Sequence, residues 1–188
     1  MFRRFFRGEP ETATTPAPTP ASEPAPSAET ATVRAIVGRL EALPPDQARY
    51  IACASYVVAR AANADMLISD AETAFMEHAL QEDAGLDEAQ AVLVIEMAKL
   101  QARAVGGTED FLVTREFRSV STPEQRLRIL RMCLTVAAVD DSITSSESAV
   151  VDEIANELDI PEADVAALRG EFTDRFEAVR AMRARSGD

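Results

Sequence analysis

The sequence predicts an all-α protein of about eight helices, in which two helix-loop-helix units are related by an internal duplication. Three observations carry that expectation. Alanine, leucine and glutamate dominate the body of the chain, with only seven Gly and no Trp, a composition that favours helix. No segment sustains a two-residue alternation of apolar and polar side chains, so no strand is required. An eight-residue loop also occurs twice, as Asp65-Met66-Leu67-Ile68-Ser69-Asp70-Ala71-Glu72 and, 75 positions later, as Asp140-Asp141-Ser142-Ile143-Thr144-Ser145-Ser146-Glu147. Each copy reads Asp, two spacers, Ile, a hydroxyl residue, two spacers, Glu, and each lies between apolar helical runs.

The chain divides into three parts. Residues 1–8, MFRRFFRG, form a basic-aromatic peptide, with Phe2, Phe5 and Phe6 on one side of a short helix and Arg3, Arg4 and Arg7 towards the other. That pattern suits weak contact with an anionic lipid surface; the plainer alternative is a frayed end. Residues 9–30 hold six of the ten prolines among Ala, Thr, Ser and Glu, a composition expected to be a disordered linker because it buries too little apolar surface to offset ordering. Residues 31–185 form the helical domain.

Within that domain, Val33, Ile36, Val37 and Leu40 have helical spacing, and Pro44-Pro45 ends this run and starts the next. The helix over roughly 45–64 is apolar around most of its circumference, which predicts a central position. Phe75, Met76, Ala79 and Leu80 mark a helix over 70–84, stopped by Gly85. Asp87 with Gln90 starts another over about 88–105, carrying Val92, Leu93, Ile95, Met97 and Leu100 and ending at Gly106-Gly107. A short helix follows around Phe111 to Phe117. Thr122-Pro123-Glu124-Gln125 is a strong helix start for a run through Leu127, Leu130, Cys133, Leu134 and Ala137. After the second loop, Val150, Val151, Ile154 and Ala155 repeat the apolar positions 75–80 at the same offset. Pro161 opens a last helix with Val165, Leu168, Phe172, Phe176, Val179 and Met182 along one stripe.

The net charge is −13; three N-terminal arginines contribute +3, leaving −16 on the rest. A body that acidic argues against nucleic-acid binding, which needs basic patches, and suits cations or a basic partner. Cys53 and Cys133 lie in apolar runs and read as buried thiols rather than a disulfide or metal ligands. No run is apolar over the roughly 18 residues that a membrane span needs, and no signal peptide is visible, so the expected compartment is the cytoplasm.

The duplicated Asp-x-x-Ile-Ser/Thr-x-x-Glu loop between apolar helices resembles the TerB-like domain, which occurs in bacterial tellurite-resistance proteins and at the N-terminus of DjlA-type co-chaperones. The likeness extends over about residues 48–170 and includes Glu109-Asp110-Phe111, Glu124-Gln125-Arg126 and Val136-Ala137-Ala138-Val139-Asp140. It is closer to the short TerB-like proteins of bacteria than to TerB of the tellurite operon. It implies a helical bundle, divalent-cation binding by loop acids, and no agreed reaction. Family members carry Gly where this chain has Met66 and Asp141. If that position needs positive φ, Met66 is costly there and Asp141 is tolerable.

The loop residues support two readings. Ser69 with Glu72, and Thr144 with Glu147, are capping boxes, while Ile68 and Ile143 plug the core and Asp65 and Asp140 stabilise turns. Alternatively, Asp65, Glu72, Asp140 and Glu147, joined by Asp70 and Asp141, supply oxygen ligands for Ca²⁺ or Mg²⁺. An EF-hand fails: counting from Asp140 puts Val151 at the bidentate-Glu position and Thr144 where an acid belongs. The single His78 sits mid-helix beside Glu77 with Glu82 four residues on, and no catalytic triad, phosphate loop or zincin pattern is present. The functional expectation is a non-enzymatic module in bacterial stress response that acts by protein interaction. The alternatives are a divalent-cation-binding module and, more weakly, a membrane-tethered adaptor using residues 1–8.

Overall fold

Pro44 and Pro45 begin the helix around which the others assemble. The computed structural model describes Gly38, residues 41–105 and residues 108–186. Within these the chain forms α1 (Pro45–Ala62), α2 (Asp70–Ala84), α3 (Glu88–Val105), α4 (Thr108–Val120), α5 (Pro123–Ala137), α6 (Ser145–Glu157), α7 (Glu162–Glu171), a 3-10 turn (Thr173–Arg175) and α8 (Glu177–Ser186). The basic-aromatic peptide, the linker, the Val33–Leu40 stripe and the Gly106-Gly107 stop lie outside the described residues. Ala42 donates to the Gly38 carbonyl at 3.0 Å, so helical backbone does precede Pro44.

Every residue of α1 from Cys53 to Ala62 is buried, as its all-round apolar character predicts. Helices α3, α4 and α5 pack around it, with α6 and α2 adding smaller contacts. The core includes Val57, Met76, Ile95, Phe117, Leu130, Leu134, Ile143 and Ile154. Both cysteines are buried and unbridged, and burial pushes the Cys133 thiol up to about 12.

Local signals place the helix ends well. Asp87 and Gln90 exchange bonds of 2.9 and 3.0 Å ahead of α3. Thr122 and Gln125 form a capping box ahead of α5, and Gly85 ends α2 at φ 67°. Two expectations need correction. The short helix at 111–117 is longer, running from Thr108 to Val120. The apolar side chains of α3 divide between its faces, which the sequence left open. Its buried apolar positions are Ala91, Ile95, Ala98 and Ala102, with Val92, Met97 and Leu100 exposed; small side chains let α3 approach α1 closely. Finally, the last helix is broken between Glu171 and Glu177. There Phe176 turns extended and forms an isolated parallel bridge with Ile143; Phe176 is buried, whereas Met182 beyond the break is exposed. None of the described helices is long and apolar enough to cross a membrane.

Candidate functional site

The two loops leave their helices in the same way. After α1, Asn63 donates to Ala59 at 2.9 Å, Ala64 to Ala61 at 3.3 Å and Met66 to Asn63 at 2.9 Å. After α5, Ala138 donates to Leu134, Val139 to Val136 and Asp141 to Ala138, each at 3.1 Å. Both chains then pass through the left-handed region, Met66 at φ 67° and Asp141 at φ 69°. The position expected to need glycine therefore does adopt positive φ in both copies.

Each loop ends in a complete capping box. The Ser69 N–H donates to Glu72 Oε2 at 2.7 Å, and the Glu72 N–H returns a bond to Ser69 Oγ at 3.1 Å. Thr144 and Glu147 do the same at 2.7 and 3.2 Å. Capping thus fixes the hydroxyl residue and one carboxylate oxygen in each copy.

Charge, rather than hydrogen bonding, sets these loops apart. Glu72 and Glu147 are both buried, and no arginine or lysine pairs with either among the described residues. Desolvation pushes the Glu72 carboxyl above its ordinary range, the capping bonds pull it back, and the negative charges of Glu147 and Asp140 push it up again. Desolvation raises Glu147 likewise, opposed by its cap and assisted by Asp65 and Glu177. Each loop's glutamate feels acids of the other loop, so the two loops share one electronegative region. Asp65 is exposed and accepts the Leu67 N–H at 2.9 Å in a local turn; Asp70 and Asp140 are exposed. Asp141 is withdrawn from that region by an ion pair to Arg175.

Among the described residues, no group of three or more His, Cys, Asp or Glu side chains is arranged to hold a metal ion. The loops therefore do not preform a dehydrated cage of the Ca²⁺ type. What they offer is a concentration of negative charge, with one oxygen of each glutamate outside the capping bond.

The loops differ in what covers them. Ile143 donates to the Arg175 carbonyl at 2.8 Å and accepts the Glu177 N–H at 3.1 Å. Arg180 reaches the Asp141 carbonyl at 3.3 Å, and the Arg169 guanidinium lies 4.5 Å from the centre of the Phe176 ring. On the first loop, Met66 and Leu67 are 81% and 74% exposed.

Two features escaped the sequence reading. Arg60, at the buried end of α1, donates to Glu157 at 2.7 and 3.3 Å, Glu153 at 3.1 Å and Thr114 at 3.2 Å, with Asp110 at 3.8 Å. Burial works against its charge, but Glu157, Asp110 and Glu153 outweigh that and raise its pKa. The Tyr56 hydroxyl donates to the same Asp110 at 2.8 Å. The second feature is an apolar groove of about 420 Å³ between α1, α3 and α4, lined by Leu43, Ile51, Tyr56, Val94, Met97 and Val113 among others. His78 is exposed and lies 3.3 Å from Glu82, as its spacing predicts.

No curated protein and no solved structure matches the sequence. A family model described as tellurite resistance protein TerB matches residues 51–170, a span that holds both loops, Arg60 and the groove-lining part of α3. The chain belongs to the TerB family.

Proposed function

We propose that this protein is a non-catalytic module of tellurite-associated stress response that works by binding another protein through the outer face of α3. The observation that carries the reading is the inversion of that helix. Its core face is built from Ala91, Ala98 and Ala102 around Ile95, while Met97 and Leu100 are more than half exposed. Large apolar side chains directed at water beside an apolar groove are the usual mark of an interaction site. Phe111 and Leu112, exposed on the neighbouring α4, add to the available surface. The acidic body favours a partner that brings an apolar anchor within a basic rim, and the cytoplasm is the compartment that goes with this reading.

The absence of catalysis in this proposal rests on chemistry. Cys133 is held as a thiol by burial, Cys53 is also raised by burial, and His78 faces solvent beside a glutamate. The test is complementation of a tellurite-sensitive strain lacking this protein. Met97→Glu and Leu100→Glu together should abolish protection while leaving circular dichroism and Tm near wild type. Full protection by that variant would contradict the proposal.

A second reading has its own support. Asp65, Glu72, Asp140 and Glu147, with Asp70 beside them, would attract a hydrated divalent cation, Mg²⁺ more readily than Ca²⁺. The support is the buried pair Glu72 and Glu147, which lack a basic partner among the described residues. Calorimetry with each ion should give binding that Glu72→Gln with Glu147→Gln removes. A flat titration at millimolar cation would end this reading.

A further inference from the structure

The second loop shows what a completed copy looks like. Its Ile143 is 1% exposed, because the segment Arg175-Phe176-Glu177 lies alongside it and makes both backbone bonds to it. Phe176 is buried there, and Arg175 pairs with Asp141. The first loop has the same turn, the same left-handed residue and the same capping box. Yet among the described residues no backbone hydrogen bond reaches Ile68, and Ile68 is only half-buried. The polarity is also reversed. The second loop carries Asp141 and Ser142, whereas the first carries exposed Met66 and Leu67 at the matching positions.

We propose that the first loop is a docking edge for the chain's own residues 3–7, with Arg4-Phe5-Phe6 lying along Ile68 as Arg175-Phe176-Glu177 lies along Ile143. Three facts select that occupant. Arg-Phe occurs at two places in the sequence, Arg4-Phe5 and Arg175-Phe176, so the chain carries a second copy of the dipeptide that covers the second loop. Arg3, Arg4 and Arg7 complement Asp65 and Asp70, exposed acids for which no ion pair is found among the described residues. Twenty-nine residues separate Gly8 from Gly38; a proline-rich spacer of that length is long enough to bring the peptide to the body, where tethering raises its effective concentration.

The test is residue-resolved amide exchange on the full chain, comparing wild type with Phe5→Asp/Phe6→Asp and, separately, Leu67→Asp. The Ile68 amide should exchange about tenfold faster in both variants, with Ile143 unchanged as an internal control. In wild type, contacts between the Phe5 ring and the Ile68 methyl groups should appear by nuclear Overhauser effect at all protein concentrations. Equal Ile68 exchange in wild type and variants would overturn the proposal. Protection that grows with protein concentration would assign the edge to a second copy and overturn it too. So would an effect of the phenylalanine variant on binding to anionic vesicles with no effect at Ile68.

Discussion

Met66 and Asp141, 75 positions apart, hold the same left-handed backbone conformation, at φ 67° and 69°. Their side chains meet that requirement differently. Aspartate tolerates the region and here gains an ion pair with Arg175, whereas methionine has neither advantage and stands exposed.

Met66→Gly should therefore stabilise the protein. Removing a left-handed non-glycine residue recovers about 1–2 kcal/mol, offset by about 0.5–1 kcal/mol of added chain entropy. The expected net gain of about 1 kcal/mol raises Tm by roughly 2–4 °C. Asp141→Gly should give no comparable gain, since it also deletes the pair with Arg175. Thermal melts of the two variants check this, and a fall in Tm for Met66→Gly would count against the strain.

The glutamates of the capping boxes predict an unusual dependence on pH. Their folded-state pKa values lie above the ordinary 4.5, so between those values the folded state binds more protons than the unfolded one. Stability then falls as pH rises through that window, and the deficit persists at neutral pH. Gln125 and Gln90 already accept the capping bond in the equivalent place ahead of α5 and α3, so Gln can replace either Glu without losing the cap. Glu72→Gln/Glu147→Gln should raise Tm at pH 7 and narrow its difference from wild type towards pH 5. A variant less stable than wild type at pH 7 would show that the charges are compensated.

Arg60 predicts the opposite sign. It ties the end of α1 to Asp110 on α4 and to Glu153 and Glu157 on α6. Arg60→Met leaves those acids facing one another without their cation, and loss of one partner from a buried pair costs about 3–5 kcal/mol. Arg60→Lys should lose much of this as well, because an ammonium cannot make the two-pronged contact with Glu157. Urea denaturation measures both.

Legibility in the sequence followed the range of the interaction. The capping boxes, the Gly85 stop and the starts of α2, α3 and α5 depend on residues three or four apart, and reading those spacings placed them. The left-handed position was legible as a condition, since the family resemblance implies Gly where Met66 and Asp141 stand. Arg60 was not legible because its acids lie 50 to 97 positions away. The break at Phe176 answers to Ile143, so the apolar stripe from Val165 to Met182 suggested one continuous helix. On α3 the sequence names five large apolar residues but not which of them face the core; close packing against α1 selects alanine there and leaves Met97 and Leu100 outside. The sequence singled out Asp65, Glu72, Asp140 and Glu147 as oxygen ligands; in the structure the charges of Glu147 and Asp140 act on Glu72, and that of Asp65 on Glu147. That capping occupies one oxygen of each glutamate was equally readable from Ser69-x-x-Glu72 and Thr144-x-x-Glu147.

The most direct measurement of the proposed function is photo-crosslinking in cells from a benzoylphenylalanine placed at Leu100 in the full chain. The outward face of α3 predicts a discrete cross-linked protein that disappears when Met97→Glu is added and is absent when the probe sits at His78, an exposed position on α2. No product from position 100, or the same products from positions 100 and 78, would contradict the assignment of α3 as the binding face.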